Sequence, residues 1–334
     1  MAMDSRHTRR AFVRDFLSIL CAGPFAAACT HRMRRPSVRR IGFIVGVGYD
    51  PEVTAFKNEL RSLGYIDGAD IVIETRLTRP NTSDLPLMAA ALAHTDLELI
   101  VAAALPFALE VRAANPAMPM VIATCPGMIS NGFAQSLKHP GGNVTGIDEL
   151  PPGLTARRLT LLKTAAPRLS TVALLSTTPG RGGYETQLAD AEQAASALGI
   201  RVKPYRAANL GELRNVLAAI VADGMDGLLS FQGGLSLSNR QLIVDFAAEH
   251  RLPAMYQATL FAEAGGLMSW APDLENQFKL AAHYVDKILR GANPGDLPIV
   301  YPPKYYLTIN AGAARSLGLT LPPALLAQAD RVIH

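Results

Sequence analysis

The chain has 334 residues, 49% hydrophobic and 18% charged, which excludes a disordered or collagen-like protein and is long enough for about two domains. Its net charge of +4 is uneven: residues 1–40 hold nine arginines against Asp4 and Asp15, leaving 23 basic and 26 acidic residues beyond them. The slightly acidic body gives no nucleic-acid footprint.

The N-terminal segment "HTRRAFVRDFLSILCAGPFAAACTHR" has a basic start, a short apolar run and a small-residue end, the three parts of an export signal. Arg9-Arg10 in "TRRAFVR" fits a twin-arginine motif, and equally the basic start of a general secretory signal. Cys29 follows three alanines. Cleavage near Ala28 and lipid attachment at Cys29 both stay open. Residues 1–38 are therefore expected to be a signal and basic linker, and the body to be periplasmic. Only Cys125 lies in the body, so no intrachain disulfide is expected there.

The body opens with an apolar, β-branched run, Ile41 to Val47, that reads as a buried strand. Asp50 is placed to cap a helix with Pro51 at its first position, and Phe56, Leu60 and Leu63 give that helix one apolar face. Gly64 ends it, and Ile71 to Thr75 is the next strand. Strand-helix-strand is the unit of a parallel sheet. Expected next are helix 85–93, strand "LELIVAAA", helix "PFALEVRAA" and strand "MPMVIAT". A second cycle follows: helix 154–165, strand "TVALLST", helix 185–198, strand "RVKPYRA", helix 210–222, strand "GLLSF", helix 239–250 and strand "PAMYQ". The layout repeats, which predicts an α/β fold of two similar lobes, each a parallel sheet with helices on both faces. "EAGGLMSWAPD", a long helix 274–290 and the proline-rich "LPIVYPPKYYLTIN" then read as further crossings between the lobes. The expected division is 39–147 plus about 271–297 for the first lobe, and 148–270 plus about 298–334 for the second.

"HPGGNVTGID" sits between the halves. Its glycine spacing matches a phosphate loop, but Ile147-Asp148 stand where Lys-Ser/Thr would be required. It reads instead as a hinge, with Gly146 and Asp148 in the first crossing and Ser269 and Trp270 in another. "VGVGYDP" lacks the third glycine of a dinucleotide fingerprint. No histidine pair has metal-ligand spacing, and no G-x-S-x-G elbow occurs.

In order and spacing, "RRIGFIV", "ELRSLGYIDGADIVIETR", "HPGGNVTG", "RLPAMYQATLFAEAGGLMSWAPDL", "YVDKILRGANPGDLPI" and "INAGAARSLGLTLPPALLAQADRVI" resemble the bacterial ABC-transporter substrate-binding proteins of the tryptophan/tyrosine type. The resemblance spans residues 39–334. It implies a type I periplasmic-binding fold, a small-molecule solute held between lobes, an inner-membrane ABC permease as partner and no catalytic residue, cofactor or metal. A monomer that binds no nucleic acid is expected. An α/β enzyme using the same cleft, or a ligand-sensing partner of a membrane receptor, remains the alternative.

Ligands of open α/β sheets sit beyond the carboxyl ends of the strands. That rule nominates Gly48, Tyr49, Ala104, Leu105 and Thr124 in the first lobe, and Thr177, Tyr184, Gln232, Tyr256 and Gln257 in the second. Tyr49 can stack on a ligand or pack on its own lobe. Gln232 and Gln257 can each donate and accept, or stand as solvated loop residues. Tyr256 is expected in the cleft. Asp148 and Glu149 point to opposite faces of a strand and read as a solvated hinge face, though one could meet a ligand amine. Trp270 can pack at the hinge or stack on a ligand. In the family this chain resembles, members often carry Gly, Ser or Thr where Ala104-Leu105 stand, and commonly Gly-Asp-Pro where Pro126-Gly127-Met128 stand. If the missing Asp holds an amine in relatives, this chain takes a less polar solute.

Overall fold

The computed structural model describes residues 38–78, 84–178 and 180–334. The expected signal segment and Cys29 lie outside the described residues. Two sheets organise the body. The first has the order β2-β1-β3-β4-β5, all parallel: β1 Arg39–Gly46, β2 Ile71–Thr78, β3 Leu99–Ala102, β4 Met120–Cys125 and β5 Val144–Asp148. Strands β3 and β4 are buried throughout, as a parallel sheet covered on both faces requires. The helices between them are α1 Asp50–Ser62, α2 Leu85–Ala93 and α3 Leu105–Ala114.

Asp50 does not cap α1. It is already helical, Tyr49 holds the cap position without a side-chain bond, and the Thr54 hydroxyl donates to the Asp50 carbonyl. Asp50 and Glu52 instead place negative charge in the first turn, where the helix dipole favours it. The far end follows the expected glycine stop. Gly64 has φ +96°, and the Tyr65 N–H turns back to the Leu60 carbonyl at 2.9 Å.

The second sheet has the order β12-β11-β10-β9-β8-β6-β7: β6 Thr171–Ser176, β7 Arg201–Arg206, β8 Gly227–Ser230, β9 Ala254–Tyr256, β10 Met268–Pro272, β11 Tyr305–Asn310 and β12 Arg331–Ile333. Only the β10–β11 pair is antiparallel. Its helices are α4 Leu154–Ala165, α5 Tyr184–Leu198, α6 Leu210–Ala222, α7 Gly234–Ser238, α8 Arg240–Glu249 and α9 Thr259–Glu263. Helix α6 has a capping box: the Asn209 side chain accepts the Glu212 N–H at 2.9 Å, and Glu212 reaches back to the Ala208 N–H at 2.8 Å. Asn209→Ala is expected to cost about 1 kcal/mol in urea unfolding. A loss below about 0.3 kcal/mol would show that the cap contributes nothing.

The chain crosses between the sheets three times. Residues 149–153 lead from β5 into α4. Asp273 leads from β10 into α10, Leu274–Leu289, and its carboxylate caps that helix by accepting the Asn276 N–H. Helix α10 returns to the first sheet and buries Phe278, Ala281, Ala282, Val285 and Leu289 on one face. The segment after it comes back through Pro298 to β11, α11 Ala311–Ser316, α12 Pro323–Leu326 and β12. This last crossing runs against the first: the Asp148 N–H donates to the Val300 carbonyl at 2.9 Å, and Ile147 bridges Val300 in parallel.

Candidate functional site

A cavity of about 480 Å³ lies between the carboxyl ends of the two sheets. The first sheet's loops contribute Tyr49, Ala104, Leu105 and Thr124. The second contributes Gln232 and Gln257, and the crossings contribute Glu149 and Asp273. Tyr49 is held from behind by α10, its ring centroid 5.9 Å from that of Phe278. The Thr124 hydroxyl donates to the Ala103 carbonyl at 2.9 Å.

Four nominated residues do not line this cavity. Gly48 is exposed in the loop before α1. Thr177 holds the neighbouring loop, its hydroxyl oxygen accepting the Ser236 N–H at 3.2 Å. Tyr184 packs against Phe231 in the second-lobe core, with the Arg206 guanidinium over its ring. Tyr256 is wholly buried and stacks on Phe261 at 4.7 Å. As the last residue of a strand flanked by helices, it projects into the lobe rather than out of its end. Gln257, one residue later, has left the strand and takes the cavity wall.

The two glutamines have fixed orientations. Arg158 donates from Nη1 to Gln232 at 2.9 Å, and a guanidinium has no acceptor, so the atom it meets is the carbonyl oxygen. The Gln232 NH₂ group has no protein partner among the described residues and is left for the cavity. The Ser236 hydroxyl donates to the Gly233 carbonyl, so it accepts from Gln257 Nε2 at 2.9 Å. The Gln257 side-chain oxygen, Oε1, is buried without a partner among the described residues, whereas its main-chain carbonyl accepts from Arg158 Nη2 at 3.5 Å. One wall of the cavity thus offers a donor beside an acceptor.

Arg158 is the residue that the sequence reading passed over. Its side chain is fully buried in α4 and joins no ion pair among the described residues; Nε and Nη2 both donate to the Trp270 carbonyl, at 3.0 and 2.9 Å. Burial pulls its ordinarily high pKa down to about 10. The signal was present: Arg158 falls on the stripe of Leu154, Leu161, Leu162 and Ala165, the buried face of α4.

Asp148 and Glu149 are not a solvated hinge face; both are buried. Asp148 accepts the N–H groups of Gly127 (3.0 Å), Met128 (2.8 Å) and Leu150 (2.9 Å), and so fixes the Pro126-Gly127-Met128 turn to the first crossing. Glu149 faces the cavity. Gln277 donates to its Oε1 at 3.2 Å, and Oε2 has no partner among the described residues. Burial pushes its carboxyl up to about 7, with Asp148 adding to the rise and Gln277 and Arg158 opposing it. Ser269 is buried in β10. The Trp270 ring packs on Tyr305 at 5.2 Å and is not part of the cavity wall.

The match to known proteins follows this architecture. Residues 37–333 fit the family model described as ABC transporter substrate binding protein. The chain belongs to that family. Over 270 residues this substrate-binding protein is 21% identical to a tyrosine-binding protein of Clostridioides difficile, covering 81% of this chain and 77% of the relative. It superposes with a TM-score of 0.82, at 24% identity, on the ABC domain of Streptococcus pneumonia crystallised with L-Trp, covering 89% of this chain and 100% of that one. An ABC transporter solute-binding protein of Agrobacterium vitis with bound allitol gives a TM-score of 0.57 at 14% identity, covering 81% and 95%. The fold of the substrate-binding protein is that of type I periplasmic binding proteins, as the resemblance implied.

Proposed function

We propose that this protein captures a small amino-acid-like solute between its two sheets, outside the cytoplasm, and delivers it to an ABC permease. The observation that carries the reading is the cavity itself: about 480 Å³, at the carboxyl ends of two parallel sheets joined by three crossings. A free amino acid fits such a volume. The family and the ligands named for two relatives, tyrosine and L-Trp, support an amino-acid scaffold. Tyr49, Ala104, Leu105, Thr124, Gln232 and Gln257 form the contact surface in this reading. The free NH₂ of Gln232 suits a carboxylate, and the Gln257 side-chain oxygen suits a donor. In this reading a hinge closure turns at the crossings, with Gly146 and Asp148 in β5 and Ser269 and Trp270 in β10 beside them. Export through the N-terminal signal, with either cleavage near Ala28 or a tether at Cys29, and action as a monomer complete the proposal.

Isothermal titration of the purified protein with L-tyrosine and L-tryptophan tests it. One saturable site is expected, without change to the amino acid, and Gln232→Ala should weaken it about tenfold. Conversion of the solute would favour the enzyme alternative. An unchanged affinity in Gln232→Ala would remove that amide from the site.

A further inference from the structure

The charges around the cavity are unbalanced. Among the described residues, the wall carries six carboxylates and one cation, Arg331. Arg331 pairs with Glu263, and Asp330 pairs with Lys304 at 2.7 Å. The remaining four, Glu52, Glu149, Asp273 and Glu275, join no ion pair among the described residues. Three of them are near one another: burial raises the Glu52 carboxyl, and Glu275 and Asp273 raise it further. Counting Arg158 one layer behind the wall still leaves carboxylates in excess.

The polar atoms left over point the same way. Glu149 is 7% exposed, faces the cavity and has a free Oε2. Glu52 Oε2 and Gln257 Oε1 are buried without partners among the described residues. Each is an acceptor, Glu149 once its carboxyl, raised to about 7 by burial, has released its proton. Buried acceptors without donors are costly, so their natural complement is a ligand rich in N–H groups. Glu149 and Glu52 supply negative charge from the crossing and from α1.

We infer that the solute is net cationic, an amine, diamine or basic amino acid whose ammonium group sits between Glu149 and Glu52. This rests on the solute-capture reading and narrows it. A net positive ligand neutralises the wall, whereas a neutral zwitterion leaves most of its carboxylates uncompensated. The remaining Gln232 NH₂ accommodates a hydroxyl or carboxylate at the other end of the same molecule.

The experiment is a calorimetric series on the purified protein with tyramine, L-tyrosine, 3-(4-hydroxyphenyl)propionate, L-arginine and putrescine. At least one of the three cations, tyramine, L-arginine or putrescine, is expected to bind about tenfold or more tighter than L-tyrosine, and the anion not to bind below about 1 mM. Glu149→Gln should weaken that cation about tenfold, and Glu52→Gln, on the partly exposed face of α1, about threefold or more. Both variants are first checked by circular dichroism; should Glu149→Gln fail to fold, Glu52→Gln decides alone. L-Tyrosine binding more tightly than every cation overturns the charge inference and leaves solute capture standing. So does cation binding that neither variant weakens. Failure of all five compounds overturns the inference and removes the amino-acid class from the proposed function as well.

Discussion

Replacing Gly146 with alanine is expected to lower stability by about 3–5 kcal/mol, while the same change at Gly142 should stay within about 0.5 kcal/mol. Gly146 lies in β5 with φ +147°, and a Cβ there would sit 2.1 Å from the Ile122 carbonyl oxygen of β4. The obstacle is main chain, so no rotamer change relieves it. Strand β5 must move off β4, and the first crossing moves with it. Gly142 is four residues earlier in the same glycine-rich stretch, yet an added Cβ meets nothing within 4 Å. Paired denaturant titrations decide the matter. Equal effects at the two positions would mean that the stretch responds to lost chain flexibility, not to a contact at Gly146.

The second large effect is pH-dependent. Glu149 has an ordinary carboxyl pKa near 4.5 when unfolded and about 7 when folded, raised chiefly by burial. Below 4.5 the group is protonated in both states. Between 4.5 and 7 the unfolded chain releases its proton while the folded chain keeps it, so stability falls as pH rises. The loss totals about 3 kcal/mol and is complete above 7. Glu149→Gln removes this slope. Its stability relative to the natural protein should rise by about 3 kcal/mol between pH 4 and pH 8, measured by urea unfolding at each pH. Parallel stability curves for the two proteins would exclude a raised Glu149 pKa. The groups facing Glu149 are Asp148, Arg158, Tyr49, Tyr305 and the Cys125 thiol. Since they remain in the variant, their own titrations largely cancel in the difference.

The architecture was legible because each level of the sequence agreed with the next. Helices α2, α4 and α6 begin and end where the sequence placed them, and α10 differs by one residue. Apolar runs with β-branched residues became buried parallel strands. Helices α7, α9 and α12 and strand β12 were missed because three to five residues are too few to show a period. The cavity was only half legible. The strand-end rule located its loops, but a shift of one residue decides whether a side chain enters the lobe or the cleft. Tyr256 and Gln257 fall on opposite sides of that boundary. Arg158 and Glu149 were obscured for a different reason. Charged residues are rarely buried, so their burial is set by partners distant in sequence: Gln232 and the Trp270 carbonyl for one, Gln277 for the other.

Arg158 also has a mechanical meaning. The same guanidinium grips the Trp270 carbonyl, two residues before the chain leaves the second sheet, and the Gln232 amide in the cavity wall. Its planar fork sets the spacing between these two anchors. Neither anchor can shift by a bond's length without dragging the other or snapping a charge-assisted hydrogen bond. The cavity wall and the joint beside it are thus geared together through one side chain.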